Sequence, residues 1–354
     1  MQKEVLNFIE WRYHVQDLYS NIVFYVLPTH PLSLHFTQNS AVNEDSIIHG
    51  IVMGFSETES TKSNISLFNI PIPNKTNFQF QSNPKYDWGS FIPMSEIPFD
   101  NSLTSFDMLP DDSILAATSS DITFITSENK SSIFYEESPI LMIKSCHVSK
   151  SETTDLSSFL FHENGSISYL NEQGIISNFQ NFSRPTLDAS VDPFSPNNII
   201  TTQGKKTLRI LDLRQKEPIL FSSQHQISSL SYSPFSPFIF ACGCFQGSIL
   251  LHDIRMPEPL SSIQAHEKMV TQIKWSPLQK DALAACSLDN AVTIWSIQES
   301  DAKSPKSPNV FVHSGHVTPI ISIDWCKNSP WTIASLSEDN LFEMWTVSSS
   351  QLEI

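Results

Sequence analysis

The chain has 354 residues, with 21 Lys and Arg against 37 Asp and Glu and a net charge of −16. That excess of carboxylates argues against direct binding of nucleic acid or an anionic membrane, which need basic patches, and suits a basic protein partner. The five cysteines are scattered and read as reduced thiols, no apolar run reaches the ~18 residues of a membrane span, and Met1–Glu4 lead into no apolar secretory stretch.

In chain order, Val5, Phe8, Trp11, Val15 and Leu18 recur at spacings of three, three, four and three. That period predicts an amphipathic helix over residues 1–18. Tyr19–Leu27 predicts a strand. From Leu34 onward short alternating segments, such as Ser229–Tyr232 and Val292–Trp295, are separated by Ser, Asn, Asp and Pro turns. Residues 72–90 carry Phe78, Phe80, Tyr86 and Trp88 and read as a loop that either folds over the first sheet or offers a partner site, the former being favoured. Residues 299–309 form a Pro, Ser and Lys loop in which Ser304-Pro305 and Ser307-Pro308 could take phosphate from a proline-directed kinase.

The short strands repeat. His266…Trp275-Ser276-Pro277…Ser287-Leu288-Asp289…Trp295 is one unit and His316…Trp325…Ser337-Glu338-Asp339…Trp345 is another. Trp275 to Trp295, Trp325 to Trp345, Tyr232 to His252 and Val191 to Leu211 are all separations of 20 residues. The strand ends Phe68, Ile125, Leu170, Leu211, His252, Trp295 and Trp345 follow one another at 57, 45, 41, 41, 43 and 50 residues. Seven units near a period of ~40–45 predict an all-β, seven-bladed WD40 propeller over residues 19–350, preceded by the helix. The last unit ends at Val347 without an outer strand. The 19–27 strand can supply it, closing the ring and leaving no sheet edge free.

In such a blade an Asp, a Ser or Thr, a His and a Trp form a buried polar chain, because buried polar atoms must be paired. His266, Ser287, Asp289 and Trp295, and His316, Ser337, Asp339 and Trp345, fit that structural role. Gln246, Lys205 and Asn164 stand at the Asp position of earlier units. No phosphate loop, HExxH or GxSxG motif occurs, and His and Cys do not fall at metal-ligand spacing. We therefore expect no catalytic residues, metal, cofactor or small-molecule substrate.

Four segments carry a resemblance. They are Trp11-Arg12…Leu18-Tyr19 through Thr29-His30-Pro31-Leu32-Ser33-Leu34; Ser46–Gly54 with Asn64–Phe68; Phe311-Val312-His313-Ser314-Gly315-His316; and Trp331–Asn340. Through them the chain resembles the histone-binding WD-repeat proteins, the retinoblastoma-binding and MSI-type small subunits of chromatin assembly factor and related complexes, as a divergent member. The resemblance implies a non-catalytic nuclear adaptor, with a cytoplasmic pool, bound to histones H3–H4 and to larger chromatin-complex subunits. It implies a groove for a histone H4 helix between the N-terminal helix and the 299–309 loop, which points to Phe8, Trp11, Val15, Leu18, Asp301 and Phe311. The loop is shorter than the family's and carries Lys303 and Lys306, so an apolar trough would carry the contact. A second family site, an acidic top face for basic tails, keeps Glu338. Its other acidic positions hold Ser102, Ile140, Leu187, Ser228 and Met269, so strong H3-tail binding is not expected. Two other readings remain. Asp212-Leu213-Arg214 and Asp253-Ile254-Arg255 look like the WDxR signals of cullin-ligase substrate receptors, and a drifted general scaffold would need neither histone site.

Overall fold

The computed structural model describes residues 11–352, apart from 16, 43–45, 57–61, 74–92, 110, 127–129, 135–137, 151–152, 171–175, 196, 205, 216 and 298–308. The aromatic stretch within 72–90, both Ser-Pro pairs, Phe8 and Asp301 thus fall largely or wholly outside the described residues.

Each sheet grows from the local pattern. Four short alternating segments joined by tight turns pair in sequence as an antiparallel meander, and seven such sheets form. Blade one is β2 (His30–Val42), β3 (Ser46–Ser56), β4 (Ser63–Pro73) and β5 (Ser95–Phe99). Blades two to six are β6–β9 (103–134), β10–β13 (140–181), β14–β17 (186–222), β18–β21 (227–264) and β22–β25 (270–313). Blade seven takes β26–β28 (320–347) and borrows β1 (Tyr19–Val26) from the other end of the chain. β1 runs antiparallel to β28, from Tyr19 opposite Val347 to Val26 opposite Leu341. The loan closes the ring, so the repeat array has no open first or last sheet face.

Tight turns between the two middle strands of a blade need a left-handed residue. Gly165, Gly247, Asn290 and Asn340 occupy that position, with φ of 87°, 83°, 70° and 67°. At Gly247 the conformation is not the only demand: a Cβ there would collide with the His266 carbonyl oxygen and approach the Lys268 carbonyl oxygen to 2.8 Å.

The core lies between blades rather than inside one. Seven apolar clusters fill the seven junctions, one per neighbouring pair of sheets. The junction of blades seven and one joins Leu34, Phe36, Ile51 and Met53 to Val23, Leu336, Phe342 and Met344. Cys242, Cys244, Cys286 and Cys326 are buried free thiols, as small apolar residues would be.

The innermost strands line the central channel, and one edge of each has no strand partner. Side chains of the preceding blade satisfy those N–H groups. Leu230 N–H donates to Asp188 (2.8 Å), Ser145 N–H to Asp107 (2.7 Å), Ile323 N–H to Gln272 (2.7 Å) and Phe36 N–H to Asp324 (2.9 Å). Lys144 and Lys274 sit 3.1 and 2.7 Å from Asp188 and Asp324, so the acceptors keep their charge balanced. At the outer edge of blade one, β5 pairs with β4 only from Ser63 to Leu67, where the Leu67 carbonyl accepts from Met94. Alternate residues beyond Leu67 turn the same way, and Pro71 and Pro73 stand there without an N–H to offer another strand.

Candidate functional site

The helix predicted at the N-terminus is present at residues 11–15 and 17–18. Val15 is buried, and Trp11 and Leu18 are half-buried, against Tyr19, Phe311, Trp325 and Trp345 at the junction of blades six and seven. The opposite face, with Arg12, Tyr13, His14 and Asp17, is exposed, as an amphipathic helix lying on a protein surface requires. Trp11, Val15, Leu18 and Phe311 are therefore brought together. Val310, at the start of β25, also lies in that seam. Glu338 is elsewhere, exposed in the turn before β28 (Leu341–Val347), with its N–H on the Pro319 carbonyl.

Blade six contains a one-way hydrogen-bond chain. The Trp295 indole can only donate, and does so to Thr293 Oγ1 (2.8 Å); the Thr293 hydroxyl then donates to His266 Nε2 (2.9 Å). That leaves a proton on Nδ1, which faces both Asp289 oxygens at 3.1 Å. The hydroxyl between His and Trp is thus Thr293 and not Ser287. Ser287 instead donates to the Lys268 carbonyl and accepts from the Asp289 N–H, which braces the turn. Burial alone would raise the Asp289 carboxyl, but His266 and the N–H groups of Glu267 and Ala291 outweigh it and hold the group below its ordinary value. A depressed carboxyl adds stability above the unfolded-state pKa of ~3.9 and loses it as pH falls through the lower folded value. Between about pH 5 and pH 2 the urea midpoint should therefore fall more steeply in the native protein than in Asp289→Asn. Parallel curves would show that the pair contributes nothing.

Blade seven follows the same direction with different hydroxyls. Trp345 Nε1 donates to Ser335 Oγ (3.4 Å), which faces His316 Nε2 (2.8 Å); His316 Nδ1 faces Ser337 Oγ (3.0 Å), and Ser337 donates to Asp339 (2.6 Å). Two residues before the Trp, where blade six has Thr293, blade seven has Glu343. A second chain descends from the helix to that carboxylate. Trp11 Nε1 donates to the Tyr19 hydroxyl (2.6 Å), and that hydroxyl faces His313 Nδ1 (2.7 Å). His313 also stacks on Trp345 with centroids 4.5 Å apart. Its Nε2 lies 2.7 Å from Glu343 Oε2 but out of line for a hydrogen bond, and neither atom has another hydrogen-bond partner. Burial pushes the His313 and His316 imidazoles down and the Glu343 carboxyl up, all toward neutrality. His313, Tyr19, Thr293, Ser335 and Glu343 were not singled out by the sequence reading. The signal for Thr293 and Glu343 was available, because both stand two residues before the repeat Trp.

Arg214 and Arg255 each fold back on their own Asp, with Nη2 of Arg214 2.7 Å from Asp212 and Nε of Arg255 2.9 Å from Asp253. The Arg255 guanidinium also covers the Phe238 ring at 4.1 Å.

The comparisons agree with this geometry. The family described as WD domain, G-beta repeat, matches residues 257–296 and 307–346, the stretches that hold the two polar chains. The chain is 29% identical over 195 residues to histone acetyltransferase type B subunit 2 of Candida glabrata, covering 49% of this chain and 46% of that one. It is 33% identical to the RbAp48-related WD40 repeat-containing protein prw1 of Schizosaccharomyces pombe, over 36% of this chain and 43% of prw1. The chain is a divergent homologue of these WD-repeat proteins. Histone-binding protein MSI1 of Saccharomyces cerevisiae is a further relative, 26% identical over 41% of this chain and 34% of its own. The chain spans less than half the length of these relatives that it matches.

Proposed function

We propose that this WD-repeat chain is a histone-binding adaptor of chromatin assembly or modifying complexes in the nucleus, with a cytoplasmic pool. It takes histones H3–H4 mainly through an H4 helix laid beside its own N-terminal helix, and it joins larger complex subunits. The observation that carries the reading is the seam in which Trp11, Val15 and Leu18 meet Val310 and Phe311. Trp11, Leu18 and Val310 leave part of their apolar surface open along that seam, the setting in which an amphipathic helix docks. Homology to proteins named for histone binding and a net charge of −16 support a basic partner.

Fluorescence anisotropy with a labelled peptide of the first H4 helix tests this at physiological salt. Trp11→Ala should weaken binding about 30-fold, the cost of ~2 kcal/mol expected for a central Trp anchor. Circular dichroism and a thermal scan check that the variant remains folded. The H3 tail should bind no better than a scrambled peptide, because Ser102, Ile140, Leu187, Ser228 and Met269 offer it no carboxylates. A folded native protein with no affinity for the H4 peptide, or a folded Trp11→Ala with undiminished affinity, would remove the trough as a histone site.

A further inference from the structure

β25 (Asn309–His313) ends at His313, and His316 lies three residues on in the turn to β26, so one short segment presents two imidazoles. β28 brings Glu343 beneath them. All three side chains are buried, and one donor atom from each lies within 4.8 Å of the others. The two Nδ1 atoms are already occupied, by Tyr19 on His313 and by Ser337 on His316. The Nε2 atoms face Glu343 Oε2, at 2.7 Å from His313 and 3.8 Å from His316, and His316 Nε2 also lies 2.8 Å from Ser335 Oγ.

We propose that His313, His316 and Glu343 form a zinc site that clasps the propeller where its ring closes. Three observations carry it. The first is the pair of orphaned atoms, His313 Nε2 and Glu343 Oε2, both buried and both facing the same point. Leaving a buried carboxylate and an imidazole without a hydrogen bond is costly, and a divalent cation between them removes the cost. The second is the close approach of the donors to the turn. A Cβ on Gly315 would collide with Glu343 Oε2 and approach His313 Nε2 to 2.9 Å, so only a glycine lets both donor atoms lie against this turn. Its backbone is not left-handed, which makes space the requirement met by the missing side chain.

The third observation is the outer layer. Zinc-bound imidazoles use their remaining nitrogen to bond an outer partner, which fixes ring and tautomer. His316 has Ser337 and then Asp339 behind it, and His313 has Tyr19 and then Trp11. In the neutral tautomer with Nδ1–H donating to the phenol oxygen, His313 Nε2 is released to the metal. Donors about 2.0–2.1 Å from a tetrahedral ion stand about 3.3 Å apart, a value that the two measured separations bracket. Ser335 Oγ, 2.8 Å from His316 Nε2, or a water completes the fourth position. Two imidazoles and one carboxylate select zinc over calcium or magnesium, which prefer oxygen. The ion would join β25 of blade six to β28 of blade seven, the strand that pairs with β1 at the closure.

The test is made on the full chain, stripped with a chelator and reloaded with zinc, with metal content read by mass spectrometry. The native protein should retain about one zinc per chain after desalting, and its thermal midpoint should rise with zinc and fall with chelator. Glu343→Gln, which keeps the volume and the amide oxygen, should lose both responses. Cobalt in place of zinc should give the strong visible bands of a tetrahedral site in the native protein alone. Zinc retention equal in native protein and Glu343→Gln would overturn the site. So would a native protein that shows no tetrahedral cobalt spectrum, a result that stands even if the variant fails to fold.

Discussion

Deletion of residues 1–27 is expected to abolish cooperative folding. The lost segment contains Val15, Tyr19, Val23 and Leu27, all buried to 6% exposure or less. Burying a large apolar side chain contributes ~1.5–3 kcal/mol, so the four together contribute about 6–12 kcal/mol. A whole domain is stable by only ~5–15 kcal/mol. The deletion also exposes the β28 edge, from Leu341 to Val347, as an unpaired strand ready to join another chain. The expected result is an aggregating product without a sigmoidal urea transition. A soluble truncated chain that unfolds at the native midpoint would mean that the ring closes without β1.

Trp345→Ala comes next in size. Trp345 is fully buried, stacked on His313 and packed against Tyr19 and Phe311 at 5.9 and 5.6 Å between ring centroids. Its indole N–H supplies the first link of the chain through Ser335 to His316. Removing it leaves a cavity where β1, β25 and β28 meet and takes away the donor to a buried hydroxyl. Large aromatic-to-Ala changes in cores cost ~3–5 kcal/mol, and this site cannot collapse easily because both flanking sheets are held by their own ladders. Urea unfolding should show a loss of that size. Trp11→Ala, in the same aromatic group but half-buried, should cost less stability, and a larger loss there than at Trp345 would contradict the packing described.

The repeat was legible because each blade is built from neighbours in sequence. A separation of 20 residues from Trp275 to Trp295 is the path through two turns and two strands, and local turns at Asn290 or Gly247 set it without reference to the rest of the molecule. The helix was legible for the same reason, since its apolar stripe has its own period. The missing outer strand of the last unit could be counted, and only the strand at the other end of the chain remained to fill it.

The chemistry at the closure was not legible in the same way. Tyr19 and His313 are 294 positions apart, because the ring is closed by a strand from the chain's other end. Ser287 matched the expected hydroxyl by residue type, yet the His–Trp link fell to Thr293, because side chains two residues apart on a strand share a face and Thr293 lies on the face of Trp295. His313, His316 and Glu343 gave no spacing signal, since two of them share a turn and the third arrives from a different strand. By itself the sequence determined the number of blades, their order and the strand that would close them, all consequences of short-range periodicity and turn chemistry. Which buried polar groups face one another was decided only when the sheets stacked, because it depends on the contact between β1, β25 and β28 and not on any interval along the chain.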